Sequence, residues 1–185
     1  MKGISLPKVY CNIPFFLTVC FCLGCSCRFH RGHSVGKRES GEQVLEGFRI
    51  RQDEGGRRLW ELISPHVTLE EDSHTARMME PHMKFFQGQT LAATLEAKTG
   101  IMDTQSQEVH FSTQVTLISK TRDIVLNGDS LVYLPSRKKI ISDEPVVIRR
   151  RDSVTNADGL EANPDLSEIT FKKQRTLFRR PPRSL

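Results

Sequence analysis

The chain has 185 residues, room for one ordinary domain plus a tail or anchor but not for two domains. Hydrophobic residues make up 37% and aromatics 7%, so the core must be aliphatic and modest, and the net charge of +5 is not extreme. Much of the positive excess sits at the ends, as Arg28, Arg31, Lys37 and Arg38 near the start and Lys172 to Arg183 at the finish. Solvated tails or attraction to phosphate head groups account for it. No RNP-like motif, zinc-finger spacing or helix-turn-helix pattern points to nucleic acid as a partner.

From Val9 to Cys27 there are 19 residues without a charge, preceded by Lys2 and Lys8. At about 1.5 Å per residue such a helix nearly matches the ~30 Å hydrocarbon core of a bilayer. The segment 1–27 therefore predicts one N-terminal transmembrane or signal-anchor helix. All five cysteines (Cys11, Cys20, Cys22, Cys25, Cys27) fall inside it. Their spacing suggests a metal site, but their neighbours Phe15, Phe16, Leu17, Val19, Phe21 and Leu23 make them small apolar filler instead. Cys22-Leu23-Gly24-Cys25 also resembles a lipobox with Cys25 as the lipid acceptor, although Cys22 stands where leucine is usual. A retained anchor and a lipoprotein signal both tether the chain to a membrane face. The basic residues that follow argue against export of that side, so loop charge leaves the orientation open.

Residues 28–44 are polar and read as a linker. Beyond them apolar residues alternate: Leu91, Ala93, Leu95 and Ala97; Val109 and Phe111; Val115 and Leu117; Leu131 and Tyr133; Val146 and Ile148; Ile169 and Phe171. A period of two means one buried face and one wet face, the mark of an antiparallel strand. Breakers separate the runs at Gly55-Gly56, Glu71-Asp72-Ser73, Gly88, Gly100, Asn127-Gly128-Asp129, Pro135-Ser136 and Asn156-Ala157-Asp158-Gly159. Residues 45–178 are thus predicted all-β, a sandwich, barrel or roll, followed by a basic Pro-rich tail at 179–185. A weak repeat of 31 residues carries Leu95 onto Leu126, Val109 onto Ile140, Val115 onto Val146, Leu117 onto Ile148 and Gly128 onto Gly159. Units that cannot bury their apolar face alone must stack. Two and a half of them make an elongated, half-open roll whose inner face is a greasy groove.

Reactive chemistry is not evident. His66, His74 and His82 are eight apart and share no face, and no histidine has a partner at metal-ligand spacing. There is no nucleophile elbow, no Gly-rich phosphate loop and no cysteine in the body of the chain. Acid pairs such as Glu70-Glu71 and Asp143-Glu144 sit at turns, where carboxylates are routine. The expectation is a protein that is not an enzyme and has no cofactor, no metal and no catalytic residue. From the residues alone, an anchor and an all-β body without such motifs point to binding, and the other candidates are a membrane-tethered lipoprotein with a β-sandwich that binds protein or glycan and a β-sandwich hydrolase with converging acids or histidines.

Two stretches carry a family resemblance. Arg58-Leu59-Trp60-Glu61-Leu62 followed by Ile63-Ser64-Pro65-His66-Val67 resembles the first strand pair of LptC proteins. Ile140-Ile141-Ser142-Asp143-Glu144-Pro145-Val146-Val147-Ile148, then Asp158-Gly159-Leu160 and Asp165-Leu166, is similar to that family's C-terminal pattern: an acidic turn between strands, a Gly-Leu strand and an Asp-Leu strand. The likeness covers about residues 45–178 and the anchor-and-linker layout, and departs in the cysteine-rich anchor and the basic residues after it.

The resemblance implies an elongated twisted antiparallel β-jellyroll. It implies a periplasmic domain held by a single-pass anchor in the inner membrane of a Gram-negative cell. It implies lipopolysaccharide as cargo, its lipid A acyl chains between two sheets, received from the membrane subunits of an ABC transporter and passed to LptA; homodimerisation is left open. Combined with the alternation, it gives a groove lined by Trp60, Leu62, Val67, Leu69, Met78, Phe85, Leu95, Phe111, Val115, Leu117, Leu131, Tyr133, Val146, Ile148, Leu160 and Phe171. Met78 and Phe85 best suit a variable chain. Ordinary core packing would use the same residues. Ile169, Thr170 and Phe171 become the docking edge for LptA, and Phe48 to Ile50 the edge that meets the transporter. Gly128 and Gly159 are expected to serve turns or close backbone approach.

Overall fold

The computed structural model describes residues 41–178. The expected anchor, Cys25, the linker up to residue 40 and the tail at 179–185 lie outside the described residues. Within them the chain is all-β, as the alternation requires. Its strands are β1 (Glu42–Glu54), β2 (Arg57–Glu70), β3 (Thr75–Met79), β4 (His82–Gln87), β5 (Thr90–Glu96) and β6 (Thr99–Asp103). They continue as β7 (Val109–Ser119), β8 (Ile124–Leu134), β9 (Lys139–Ser142), β10 (Val146–Arg150), β11 (Ser153–Ala162) and β12 (Ile169–Phe178). Residues 42–44, read as linker, belong to β1, since Gln43 and Val44 pair with Leu69 and Thr68. The β1–β2 connection is a two-residue hairpin in which Gly55 and Gly56 both take left-handed φ (58° and 75°), the geometry that matches strand twist and that side chains resist.

All strands belong to one antiparallel sheet, and the pairing shows that it is folded across its middle. β2 pairs with β4 through Trp60–Ile63 and with β3 through His66–Glu70. β7 pairs with β6 through Val109–Ser112 and with β5 through Thr116–Ser119. β8 and β11 likewise each pair with β9 at one end and β10 at the other. Long strands therefore cross a fold line that interrupts the short ones, at Glu80-Pro81, Ala97-Lys98 and Asp143-Glu144-Pro145. Where β7 crosses, a bulge places Thr113 and Gln114 at left-handed φ of 68° and 54°. The corners are tied to one another: Lys98 N–H donates to Thr113 O (2.9 Å) and Glu80 N–H to Lys98 O (2.8 Å).

One half of the sheet holds β4, β5 and β10; the other holds β3, β6 and β9. In the first half Leu62, Met83, Leu95, Leu117, Leu126 and Ile148 form one cross-strand row. In the second, Val67, Met78, Gly100, Phe111 and Leu131 form another, backed by Ala76, Met102, Val109, Tyr133 and Ile140. These rows face each other, which leaves every one of their hydrophobic side chains at most 3% exposed. Trp60 and Phe85 from the first half meet Tyr133 of the second edge-on, with ring centroids 6.3 and 5.0 Å apart.

The 31-residue repeat has a structural counterpart. Leu117 and Ile148 lie in one inward row, as do Val109 and Ile140, while Ala97, Gly128 and Gly159 sit at successive crossings of the fold line.

Three expectations need correction. Asn127-Gly128-Asp129, Asn156-Ala157-Asp158-Gly159 and Gly100 are not turns but strand interiors. Asn156 and Asp158 face water while Ala157 and Gly159 face in, so turn-type residues satisfy the same period of two. The stretch Arg58–Val67 is not a strand pair but one strand, β2, bent at Ser64-Pro65 and held there by the Ser64 hydroxyl, which donates to the carbonyls of His66 (2.9 Å) and Met79 (2.6 Å). Asp165-Leu166 is loop, not strand. At Gly159 the need is close approach: a Cβ there would lie 2.6 Å from the Ser142 carbonyl oxygen.

Gly159→Ala should therefore cost about 2–3 kcal/mol, because a backbone neighbour cannot yield cheaply. Asp158→Ala, one residue away on the wet face, should stay within about 0.5 kcal/mol. Urea unfolding of both variants checks the difference.

Candidate functional site

Period-two strands place the sixteen residues read as groove lining together on the inner faces of the folded sheet. Fourteen are buried in one cluster, and Leu69 and Phe171 pack against it half-buried. Sequence reasoning missed Met83, Met102, Val109, Leu126 and Ile140, which stand in the same rows. Met83 and Leu126 carried a signal: Met83 falls two residues from the chosen Phe85, and the 31-residue repeat places Leu126 on the chosen Leu95. Leu166 carried none: it is buried from a loop.

The apolar interior runs crosswise to the strands, from β1 at one edge to β12 at the other. At the β1 edge Leu45, Phe48 and Ile50 are half-buried, and at the β12 edge Ile169 and Phe171 are. Between the edges the two halves close on each other. Among the described residues β1 pairs only with β2, and β12 only with β11, so each carries a row of unpaired backbone groups. Exposed apolar side chains sit on both, Val44 on β1 and Leu177 and Phe178 on β12. Phe48–Ile50 and Ile169–Phe171 thus lie on opposite edges of the sheet.

Opposite the fold line the free ends of the two halves form a mouth. A cavity of about 330 Å³ opens there, lined by Leu59, Phe85, Phe86 and Ala92 of the first half, Tyr133 and Lys138 of the second, and the β11–β12 loop. Two contacts bridge the mouth. Lys138 Nζ meets Glu54 Oε2 at 3.0 Å, an exposed ion pair of small worth. The Ser119 hydroxyl donates to the Asp165 carbonyl at 2.9 Å. Trp60 is fixed from inside, its indole N–H donating to Gln52 Oε1 at 2.6 Å.

The site is poor in reactive groups. Burial pushes the Tyr133 phenol up to about 12, so it stays neutral at any ordinary pH. Among the described residues no cluster of histidine, cysteine, aspartate or glutamate could hold a metal ion. The arrangement can bury apolar chains.

The family model described as "Lipopolysaccharide-assembly, LptC-related" matches residues 29–178. No curated protein matches the chain. Among solved structures, the crystal structure of LptH, the LptA homologous periplasmic component of the conserved lipopolysaccharide transport device from Pseudomonas aeruginosa, is similar at a TM-score of 0.47 and 8% identity, over 77% of this chain and 98% of that one.

The Tyr133 phenol yields a test with a definite sign. Unfolded, it ionises near 10; folded, near 12, so its contribution is intact below pH 10 and is lost as pH rises through that window. Tyr133→Phe should flatten the fall in stability between pH 10 and 12, as read by unfolding at fixed pH, and change stability at pH 7 by less than about 1 kcal/mol.

Proposed function

Because the chain belongs to the LptC-related family of lipopolysaccharide-assembly proteins, we propose that it is a non-enzymatic carrier, which takes lipopolysaccharide from an inner-membrane ABC transporter and passes it to LptA. The observation that carries this reading is the continuous apolar interior of the folded sheet, running from one unpaired edge strand to the other. Each acyl methylene kept from water is worth about 0.8 kcal/mol, so an amphiphile cannot cross an aqueous gap without an unbroken apolar path. Similar domains joined edge to edge would supply one. β12, with Ile169, Thr170 and Phe171, is the proposed edge for LptA, and β1 around Phe48–Ile50 the proposed edge for the transporter's own β-domain, each by strand addition. Residues 1–27 would anchor the chain in the inner membrane with the β-domain in the periplasm, or do so through lipid on Cys25. Energy for transport would come from ATP hydrolysis in the transporter.

The interior is packed shut, its inward side chains at most 4% exposed. Carriage therefore requires the halves to part, so that acyl chains replace contacts between the rows. Met78 and Phe85 are the proposed lipid contacts, being flexible or large. The same shut packing favours the second reading, a closed β-module that binds protein or glycan.

Photo-crosslinking in cells separates the two. A photoreactive residue at Met78, Phe85 or Phe111 should label lipopolysaccharide while the transporter is active, and one at the outward positions Ile101 or His110 should not. Silence at all three inward positions in a folded, membrane-bound protein sinks the carrier and leaves the closed module.

A further inference from the structure

The loop 163–168 lies across the mouth. It is braced by its own groups: Leu166 N–H donates to Asn163 O (2.9 Å), and the backbone N–H and hydroxyl of Ser167 donate to Asp165 Oδ1 (3.1 and 2.7 Å). Lys139 Nζ, donating to Asn163 Oδ1 at 2.8 Å, fastens it to the second half. Its hold on the first half is slighter. Among the described residues one hydrogen bond, Ser119 to Asp165, ties it there, together with the buried side chain of Leu166. Leu166 is 1% exposed yet held at φ 59°, a left-handed conformation that leucine rarely adopts. A self-braced flap, hinged on one half and plugged into the other by a single leucine, is built to come away as a unit.

Two kinds of surface flank this plug. On one side is the apolar floor of the mouth cavity, with Phe85, Phe86 and Tyr133. On the other is an open cleft lined by Arg122, Arg150 and Arg151, by Asp123 and Asp152, and by Leu166 itself, so its cations outnumber its carboxylates by three to two. Arg151 meets Asp123 at 3.5 Å, whereas among the described residues no carboxylate pairs with Arg122 or Arg150. Unpaired guanidinium groups beside an apolar slot suit an amphiphile whose chains are apolar and whose head bears phosphate. A phosphorylated head also cannot travel through the shut interior, where nothing would compensate its lost hydration. At the mouth it stays in water while the chains go in.

We propose that the lipid is loaded sideways through this mouth: an acyl chain takes the place of Leu166 as the flap swings off, and the phosphate rests on Arg122 and Arg150. This rests on the carrier reading above. It adds the place of admission, the residue displaced and the group that meets the head.

The test uses the full chain, purified in detergent, with a photoreactive residue at Phe85 and lipopolysaccharide as the probe. Cysteines replace Asp123 and Ser167, both exposed and both lining the arginine cleft, in a chain whose Cys11, Cys20, Cys22, Cys25 and Cys27 are each changed to alanine. A short bis-methanethiosulfonate that reductant releases then tethers flap to rim, with each single-cysteine protein as control. Tethering should cut labelling about tenfold, and reductant should restore it. Arg122→Gln with Arg150→Gln should cut it to a similar extent, about tenfold for the loss of charge-assisted contacts, while dephosphorylated lipopolysaccharide should not distinguish that variant from the parent. Labelling that survives the tether, or that ignores the loss of both arginines, overturns sideways loading and leaves the carrier standing. Absence of labelling even in the untethered parent removes both.

Discussion

An antiparallel sheet with one apolar face must cover that face, and among the described residues this chain has no helix and no disulfide to help. Its solution is to fold the sheet on itself. Every other feature follows from that constraint. Long strands must bend at Ser64-Pro65, at the Thr113-Gln114 bulge and beside Gly159, and short strands must stop at the fold line and restart beyond it. The inward rows must pack against each other, and Ala76 and Gly100 are small members of rows otherwise built of larger apolar side chains. A fully buried leucine or isoleucine contributes about 1.5–3 kcal/mol, and Leu62, Leu95, Leu117, Leu126, Leu131, Ile140, Ile148 and Leu160 are all of this kind.

Among the described residues, the rows that hold the fold together are also the apolar surface that the proposed carriage would use. Stability and carriage therefore draw on one set of contacts. A chain entering between the halves trades side-chain contact for acyl contact, and the hydrophobic effect, being non-directional, tolerates the exchange. Hydrogen bonds could not be traded so freely, and they are confined elsewhere: to the strand ladders, the fold-line corners and the rim. Along the mouth, among the described residues, an exposed ion pair, one hydrogen bond, the Leu166 plug and the Phe85–Tyr133 ring contact link the halves, whereas along the fold line the strands are continuous. The fold is thus a hinge with a strong spine and a weakly fastened opening.

Much of this was legible in the sequence because period two is a local signal that survives any arrangement of the strands. It fixed which face of β5, β7, β8 and β10 points in, and hence most of the lining. The 31-residue repeat was legible for the same reason, since successive passes across the fold line need equivalent residues at equivalent steps. What was not legible depended on distant partners. Asn127-Gly128-Asp129 and Asn156–Gly159 have turn chemistry, but their neighbours across the sheet keep them extended, and Gly159 is glycine because of Ser142 rather than because of a turn. The bend in β2 divides one strand between two partners, which no local pattern reveals. Leu166, expected in a strand, is a loop residue, and its burial comes from strands distant in sequence. That the interior is shut is likewise a property of two faces together, and neither face shows it alone.

The central claim is that the halves part at the mouth to admit lipid while the fold line holds. Spin labels on ketone-bearing residues at Gln89 and Ser136, at turns on the first and second halves beside the mouth, would report the gap between them by electron–electron double resonance. A second pair along the fold line, at Lys98 and Glu144, would serve as the fixed reference. Addition of lipopolysaccharide should lengthen the Gln89–Ser136 distance and leave the Lys98–Glu144 distance unchanged. A mouth distance that stays the same with lipopolysaccharide bound would contradict the account.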